Sequence, residues 1–386
     1  MDFYALLKLM VDKKASDLFI TEGMPPSIKV NGKVIPVGKA ALSSDASLEL
    51  VESIMNDKQR VEFSVEKELN FAIESDAVKG ARFRVSAFYQ RNHAGMVLRR
   101  IETEIPTTEA LLLPPILDEL VLSKRGIIIF VGATGTGKST SMAAMIGYRN
   151  RNTKGHIISI EDPIEFVHQH AGCIITQREV GIDTESFEVA LKNTLRQAPD
   201  VIVIGEIRTR ETMELAISFA ETGHLVLATL HANNANQALD RIQHFFPADR
   251  HDQLWMDLSL NLRAVLAQQL LPTADGSGRR AVIEVLINTP LVADLIRKGE
   301  VHKLKELMTR SNELGMRTFD QALYELYEQA VITYEEAIGA ADSKNDLRLM
   351  IKLQSETDAD YLDQAADELM LDGDDGDAES FRLFDN

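Results

Sequence analysis

The segment Ile127–Asn150 reads IIIFVGATGTGKSTSMAAMIGYRN and constrains the fold more than any other part of the chain. Its first five residues are apolar, as in a strand that is buried on both faces of a parallel sheet. A glycine-rich turn follows, and the turn leads into a segment rich in alanine and methionine, which favour helix. Strand, turn and helix in this order predict an α/β domain built on a mostly parallel sheet.

The turn matches the phosphate-binding pattern G-x-x-x-x-G-K-[ST]. Its glycines allow backbone N–H groups to surround a phosphate, and the start of the helix adds partial positive charge. Lys138 is expected to contact the β- and γ-phosphates, and the Ser139 hydroxyl to bind Mg²⁺. A glycine-rich turn without a ligand is the alternative, which the flanking strand and helix disfavour. The predicted ATP-binding residues of this loop are Gly132, Ala133, Thr134, Gly135, Thr136, Gly137, Lys138, Ser139 and Thr140.

A second buried strand ends in an acidic residue. In DVIVIGEIRTRETM, residues 200–213, four β-branched apolar residues are followed by Gly205 and Glu206. Ligands of open α/β sheets bind outside the carboxyl ends of the strands. Proteins with this phosphate-binding loop need an acidic residue, usually Asp, on a neighbouring strand to hold Mg²⁺, often through water. Glu206 is therefore predicted to bind the metal and to take part in catalysis.

Two more strand ends carry candidate catalytic groups. HIISIEDPIEF, residues 156–166, ends its apolar run at Glu161, and a carboxylate there can accept the proton of the attacking water. Glu165 is the next candidate for this base, and strand-end acids solvated in a loop are the alternative. HLVLATLHANNA ends a further strand at His231, which is predicted to contact the γ-phosphate or its water. A purely structural histidine is the alternative.

The first 105 residues predict a smaller α/β domain. The elements expected in it are a helix over 2–14, a hairpin at Asn31–Gly32, a helix over 45–62 opened by Ser44 or Asp45, and a second hairpin over 82–101 turning at His93–Gly95. Prolines in residues 106–115 indicate a linker. An ATPase core over 116–290 and a helical region over 291–353 are predicted to follow.

Composition narrows the class of protein. The 386 residues contain a single cysteine, Cys173, so a multi-cysteine zinc site and a disulfide framework are excluded. The longest apolar runs are too short to span a bilayer, and no signal peptide is evident at the N-terminus. The net charge of −18 does not favour a general nucleic-acid binder, which needs a basic surface.

Much of this negative charge lies in the last residues of the chain. Glu356–Asn386 contains twelve acidic residues and one basic residue. We expect residues 354–386 to be an acidic, disordered tail that aids solubility. An alternative is an amphipathic helix in DYLDQAADELMLDG that docks on a groove with a basic rim.

Several motifs together resemble the secretion ATPases of the type II/type IV pilus family. LRQAPDVIVIGEIR, SIEDPIEF and GHLVLATLH correspond in order and spacing to that family's signature motifs, while ASDLFITEGMPPSIKVNGKV and ARFRVSAFYQ resemble the N-terminal domain of the pilus retraction ATPases. The resemblance implies a PAS-like α/β domain followed by a RecA-like P-loop domain. It also implies a homo-hexameric ATPase that uses ATP and Mg²⁺ to retract the pilus. One position differs, because Thr209 stands where the family usually has Asp.

The resemblance also implies a location and partners. The implied location is the cytoplasm, at the inner membrane beneath the pilus, with a platform protein of that membrane as partner. The absence of an extra N-terminal domain and of a four-cysteine module favours the retraction branch. LINTPLVADLIRKGEVHKLKELM and the C-terminal extension favour an accessory member that works with the principal retraction ATPase. The alternatives are the principal motor itself, a RecA-type nucleic-acid motor and a nucleotide-binding ring scaffold.

Arginines of the second N-terminal hairpin are candidates for nucleotide contacts from a neighbouring subunit. Arg84 alternates with apolar residues on one strand, and Arg99 lies on the return strand. An arginine supplied in trans can stabilise the charge of the transition state. The alternative is a solvated basic face that pairs with local carboxylates.

Overall fold

The computed structural model describes residues 2–30, 32–74, 78, 81–101 and 104–354. The described residues form helices α1 (Phe3–Asp12), α2 (Ser44–Glu52), α3 (Asp57–Glu66), α4 (Ile116–Val121), α5 (Lys138–Asn152), α6 (Phe187–Thr194), α7 (Arg210–Glu221), α8 (Ala235–His244), α9 (His251–Asn261), α10 (Pro290–Arg297), α11 (Leu304–Thr309), α12 (Phe319–Glu328), α13 (Tyr334–Ala340) and α14 (Lys344–Gln354). The strands are β1 (Asp17–Ile20), β2 (Ser27–Val30), β3 (Lys33–Pro36), β4 (Glu68–Glu74), β5 (Arg82–Gln90), β6 (His93–Ile101), β7 (Gly126–Val131), β8 (Gly155–Glu161), β9 (Cys173–Glu179), β10 (Val201–Ile204), β11 (Leu225–Leu230), β12 (Leu262–Pro272) and β13 (Arg279–Ile287).

The N-terminal strands form an antiparallel sheet in the order β3-β2-β1-β6-β5-β4. Along β5 the side chains alternate as predicted, with Phe83 and Val85 fully buried and Arg82 and Arg84 half-buried. The predicted first hairpin is present, since Val30 pairs with Lys33 across a two-residue connection. This sheet confirms the expected α/β character of the N-terminal part.

Two local predictions in this part were wrong. The second hairpin turns at Arg91 and Asn92, which have φ values of 48° and 69°, and not at His93–Gly95. Two consecutive residues in the left-handed region form a tight hairpin turn that matches the twist of the strands, so His93 already pairs in β6.

The helix predicted over 45–62 is two helices, α2 and α3. It is interrupted because Asn56 and Gln59 form a reciprocal capping box that starts α3. Ser43, and not Ser44 or Asp45, caps α2, since its hydroxyl accepts the N–H of Ala46 at 3.2 Å.

The second sheet has the strand order β13-β12-β7-β11-β10-β8-β9. β10 pairs in parallel with both β8 and β11, and β8 pairs in parallel with β9. All residues of β7, β10 and β11 are buried, as the continuous apolar runs predicted. The described chain beyond Pro290 is helical, which also agrees with the sequence.

The chain divides into two compact units by its contacts. The described residues of the first unit lie within 1–130, 138–230 and 242–264, and those of the second lie within 131–137, 231–241 and 265–354. The domain boundaries given above stay predictions. Apart from Gln354, the last residue of α14, the acidic tail lies outside the described residues. In the described part of the chain, no helix has the length and apolar character needed to cross a membrane.

Candidate active site

The predicted phosphate-binding loop forms a tight backbone cradle after β7. Gly132 has a φ of +152°, and a Cβ there would lie 2.5 Å from the carbonyl oxygen of Gln268 and 2.6 Å from Oγ1 of Thr136. The side chain of Gln268 donates to the Thr136 carbonyl at 2.8 Å, and Thr136 Oγ1 donates to the Ala133 carbonyl at 2.9 Å. These bonds hold the loop in one shape that only glycine allows at position 132. The loop therefore fits a phosphate ligand.

Lys138 is the first residue of α5, and Ser139 and Thr140 follow in its first turn. Burial lowers the pKa of the Lys138 ammonium, while the negative charges of Glu206 and Glu165 act in the opposite direction. A poorly solvated ammonium interacts more strongly with an anion than one in water does. Its position at the start of a helix, where backbone N–H groups attract anions, agrees with the predicted phosphate contact.

The acids at the ends of β8 and β10 are brought together by the parallel pairing of these strands. Ile204 lies opposite Ile160, so Glu161 ends one strand and Gly205 and Glu206 follow the other. Gly205 donates its N–H to the Ile160 carbonyl at 2.8 Å, and its carbonyl accepts the hydroxyl of Thr229. A Cβ at Gly205 would lie only 3.0 Å from Cα of Glu161.

The predicted base, Glu161, has a defined environment. Ser159 Oγ donates to Glu161 Oε1 at 2.7 Å, and Gln177 Nε2 donates to the same oxygen at 3.2 Å. Burial raises the pKa of the Glu161 carboxyl to about 7, although both hydrogen bonds favour its ionised form. A carboxylate whose pKa lies near neutrality is suited to accept a proton from water.

Glu206, the predicted metal ligand, is paired with Arg208. The Nε of Arg208 donates to Glu206 Oε2 at 2.8 Å, and Nη2 lies 2.6 Å from the same oxygen. Arg208 Nη1 also lies 4.0 Å from Asp162 Oδ2. The Glu206 side chain is 16% exposed and carries a negative charge at a strand end, so its donor chemistry suits a hydrated Mg²⁺.

His231 immediately follows Leu230, the last residue of β11. The following helix, α8, starts at Ala235, whose N–H donates to Glu284 Oε1 at 2.7 Å. The predicted place of His231 at the end of a buried strand is therefore correct, while its contact with a phosphate stays a prediction.

The two hairpin arginines have carboxylate partners within the chain. Arg84 Nε lies 3.9 Å from Glu179 Oε1, and Arg99 Nε donates to Asp17 Oδ1 at 2.9 Å. These pairings match the alternative of local ion pairs, and contacts made in trans stay a prediction. The arginines also line a cavity of about 540 Å³, whose wall includes Asn70, Arg84, Ser86, Arg99, Arg100 and Glu165.

The sequence reasoning missed the residues that hold Glu161. Ser159 could have been found, because residues two apart in a strand point to the same face of the sheet. The role of Gln177 could not be predicted from the sequence, because its position beside Ser159 depends on the pairing of β9 with β8. Thr209, the exception to the family pattern, caps α7 by accepting the N–H of Thr212 at 3.2 Å.

Known proteins are similar to this chain over most of its length. The family model of the Type II/IV secretion system protein matches residues 5–285. The type IV pilus ATPase PilU of Pseudomonas aeruginosa is 71% identical over 371 residues, which cover 96% of this chain and 97% of that protein. The type IV pilus retraction ATPase PilT of the same organism is 40% identical and covers 87% of this chain and 97% of its own length.

Solved structures agree with the fold as well. The crystal structure of the pilus retraction motor PilT with bound ADP aligns with a TM-score of 0.85 and 38% identity, covering 91% of this chain and 100% of that one. The ATPase DotB of Legionella pneumophila aligns with a TM-score of 0.72 and 26% identity, over 87% of this chain and 95% of its own. The expected resemblance and α/β fold are therefore confirmed, and the chain belongs to the Type II/IV secretion system protein family.

Proposed function

We propose that this chain is an ATPase that powers type IV pilus retraction. The observation that carries the proposal is the carboxylate of Glu161, which is held at the end of β8 with a pKa of about 7. The phosphate-binding loop and the 71% identity to PilU support the same conclusion. The bound ADP of the PilT structure makes a nucleotide the natural ligand of the loop.

Each residue has a distinct role in the proposed hydrolysis of ATP. The loop of residues 132–140 binds the phosphates through its backbone, and the ammonium of Lys138 adds positive charge. Ser139 and Glu206 would hold Mg²⁺, which when bound offsets the charge of the transferred phosphoryl group. Glu161 takes the proton of the attacking water, and His231 contacts the γ-phosphate or this water.

We further propose that the chain works as a homo-hexamer and as an accessory motor. PilU, an ATPase of the type IV pilus, is more similar to the chain than the retraction ATPase PilT, with 71% and 40% identity. The proposed partners are the principal retraction ATPase and the platform protein of the inner membrane, which would bring the chain to the cytoplasmic side of the pilus base. The principal motor itself is the first alternative.

The remaining alternatives differ in what they predict for purified protein. A RecA-type nucleic-acid motor would hydrolyse ATP faster when DNA is added, whereas a ring scaffold would bind ATP without turnover. The net charge of −18 weighs against the nucleic-acid motor. Steady-state ATPase assays with and without DNA distinguish the three.

Pilus retraction in cells separates the accessory motor from the principal one. The comparison needs strains that lack this protein, the principal motor, or both, with twitching motility and retraction force as readouts. An accessory motor predicts that retraction persists in weakened form when this protein alone is missing. Complete loss of retraction in that strain would assign the principal role to this chain.

A further inference from the structure

Side chains on two neighbouring strands, β8 and β9, donate hydrogen bonds to one oxygen of the Glu161 carboxylate. Ser159 lies two residues earlier in β8, on the same face, and its hydroxyl donates to Oε1 at 2.7 Å. Gln177 lies opposite Ser159 in β9, and its Nε2 donates to the same Oε1 at 3.2 Å. Because the donors come from two paired strands, they restrict the rotation of the carboxylate from two directions.

The amide of Gln177 is itself held in one orientation. Its Oε1 accepts the N–H of His168 at 2.8 Å, and its Nε2 donates to the carbonyl of Phe166 at 2.8 Å. A flipped amide would put donor against donor and acceptor against acceptor, so these backbone groups determine which end faces Glu161. Gln177 therefore connects the loop after β8 to the carboxylate at the end of β8.

A second side chain of β9, that of Glu179, also forms a hydrogen bond with the loop after β8. Glu179 Oε2 accepts the N–H of Ile164 at 3.3 Å, and both residues are buried. Side chains of β9 thus form hydrogen bonds with three residues of the loop. Gln177 bonds Phe166 and His168, and Glu179 bonds Ile164. Removal of the Gln177 side chain leaves the Glu179 contact and the β8–β9 ladder in place.

We propose that Gln177, together with Ser159, is a positioning residue that holds the Glu161 carboxylate in the orientation needed to accept a proton from the attacking water. The inference rests on the proposed function, in which Glu161 is the base. Without these hydrogen bonds, the Glu161 side chain could rotate and would spend much of its time in orientations that cannot accept the proton. Displacement of a catalytic group by about 1 Å can lower the rate on the order of 100-fold. The effect of Gln177 on turnover is therefore exerted through Glu161.

The test compares Gln177→Leu and Gln177→Glu with the full-length wild-type protein. Leu removes every hydrogen bond of the amide, whereas Glu in its ionised form keeps an acceptor for the N–H of His168 but has no donor for Glu161. Both variants should lower kcat by about 10- to 100-fold, with the affinity for a fluorescent ATP analogue nearly unchanged. Ser159→Ala, a small change in a buried strand, is the second variant if the Gln177 variants fail to fold.

The pH profile gives a readout that a merely structural role would not move. Hydrogen-bond donors to a carboxylate favour its ionised form, so their loss should raise the pKa of Glu161. In a plot of kcat against pH, the fall of kcat on the acidic side should then move to higher pH. Glu165→Gln should move the limb to lower pH, because the charge of Glu165 raises the pKa of Glu161. Other charged groups on the adjoining strand ends are Glu179, which lies opposite Glu161 in the β8–β9 pairing, and Arg208, which pairs with Asp162 and with Glu206.

Ile174→Gln is the matched control, because Ile174 lies on β9 with 62% of its surface exposed. The inference fails if Gln177→Leu keeps turnover within roughly twofold of wild type, or if its ATP affinity falls in parallel with kcat. Turnover that survives in Glu161→Gln would instead contradict the proposed base.

Discussion

Arg84 Nε lies 3.9 Å from Oε1 of Glu179, a buried carboxylate that also accepts the N–H of Ile164. The contact joins β5 of the N-terminal sheet to β9, beside the loop that follows Glu161. Burial raises the pKa of the Glu179 carboxyl, and the charges of Arg84 and Arg82 partly offset this. Arg84 therefore has an acidic partner that it would have to leave in order to contact a phosphate.

The first prediction concerns action of Arg84 in trans. Arg84→Ala and Glu161→Gln should each be nearly inactive, since an arginine in trans contributes on the order of 10³-fold or more in GTPases. Mixed in one ring, the two variants should partly recover ATPase activity. Recovery follows because some interfaces then combine an intact base with an intact arginine.

The measurement is steady-state ATPase activity across mixing ratios, with ring formation checked by light scattering. Arg60→Ala is the control, because Arg60 forms an exposed ion pair with Asp57 on α3. Rings that form but show no recovery at any ratio would contradict a role of Arg84 in trans. Arg99→Ala tests the second arginine in the same way.

The second prediction separates binding from chemistry. Lys138→Ala should abolish ATP binding or turnover, because it removes the ammonium that is proposed to contact the phosphates. Glu161→Gln and Glu206→Gln should retain ATP binding and lose about 100-fold or more in turnover, since the proposed roles of these carboxylates concern the attacking water and the metal. The measurements are equilibrium binding of a fluorescent ATP analogue and single-turnover hydrolysis. Unchanged hydrolysis in Glu161→Gln would transfer the role of base, with Glu165 next in line.

The strand ends were predictable because they depend on local sequence. The continuous apolar run before Gly205–Glu206, and the run before Glu161 that is interrupted only by Ser159, are typical of buried parallel strands that end at the sheet edge. The support of Glu161 by Gln177 was not predictable, since it depends on which strand pairs with β8. The helix break at Asn56 could also have been predicted, since Asn56 and Gln59 have the spacing of a capping box, which satisfies backbone N–H groups at the start of α3.

The third prediction concerns Thr209, which differs from the family pattern. Thr209→Ala should destabilise the protein by about 1 kcal/mol, because the N–H of Thr212 loses its cap. Thr209→Asp should be at least as stable as wild type, because a carboxylate caps the helix and interacts favourably with its dipole. Urea unfolding measures both. Equal stability of the Ala and Asp variants would contradict the capping role.

The last prediction concerns Glu284, a carboxylate that is 2% exposed and accepts the N–H of Ala235. Burial raises the pKa of the Glu284 carboxyl from its ordinary value near 4.5 to about 7; the charge of Asp342 adds to this rise and that of Lys305 opposes it. Between about pH 4.5 and pH 7 the folded state therefore holds a proton that the unfolded chain has already released. Stability is lost as the pH rises through this window, by up to about 3 kcal/mol for this group.

Glu284→Gln keeps an acceptor for Ala235 and has no proton to release. Its urea midpoint, relative to wild type, should therefore rise between pH 5 and pH 8. Glu306→Gln is the control, since the Glu306 side chain is 68% exposed and pairs with Arg310 at the surface. That variant should differ from wild type by the same amount at both pH values. If Glu284→Gln behaves like this control, Glu284 is already ionised in the folded protein at pH 5, and the charge of Lys305 outweighs the cost of its burial.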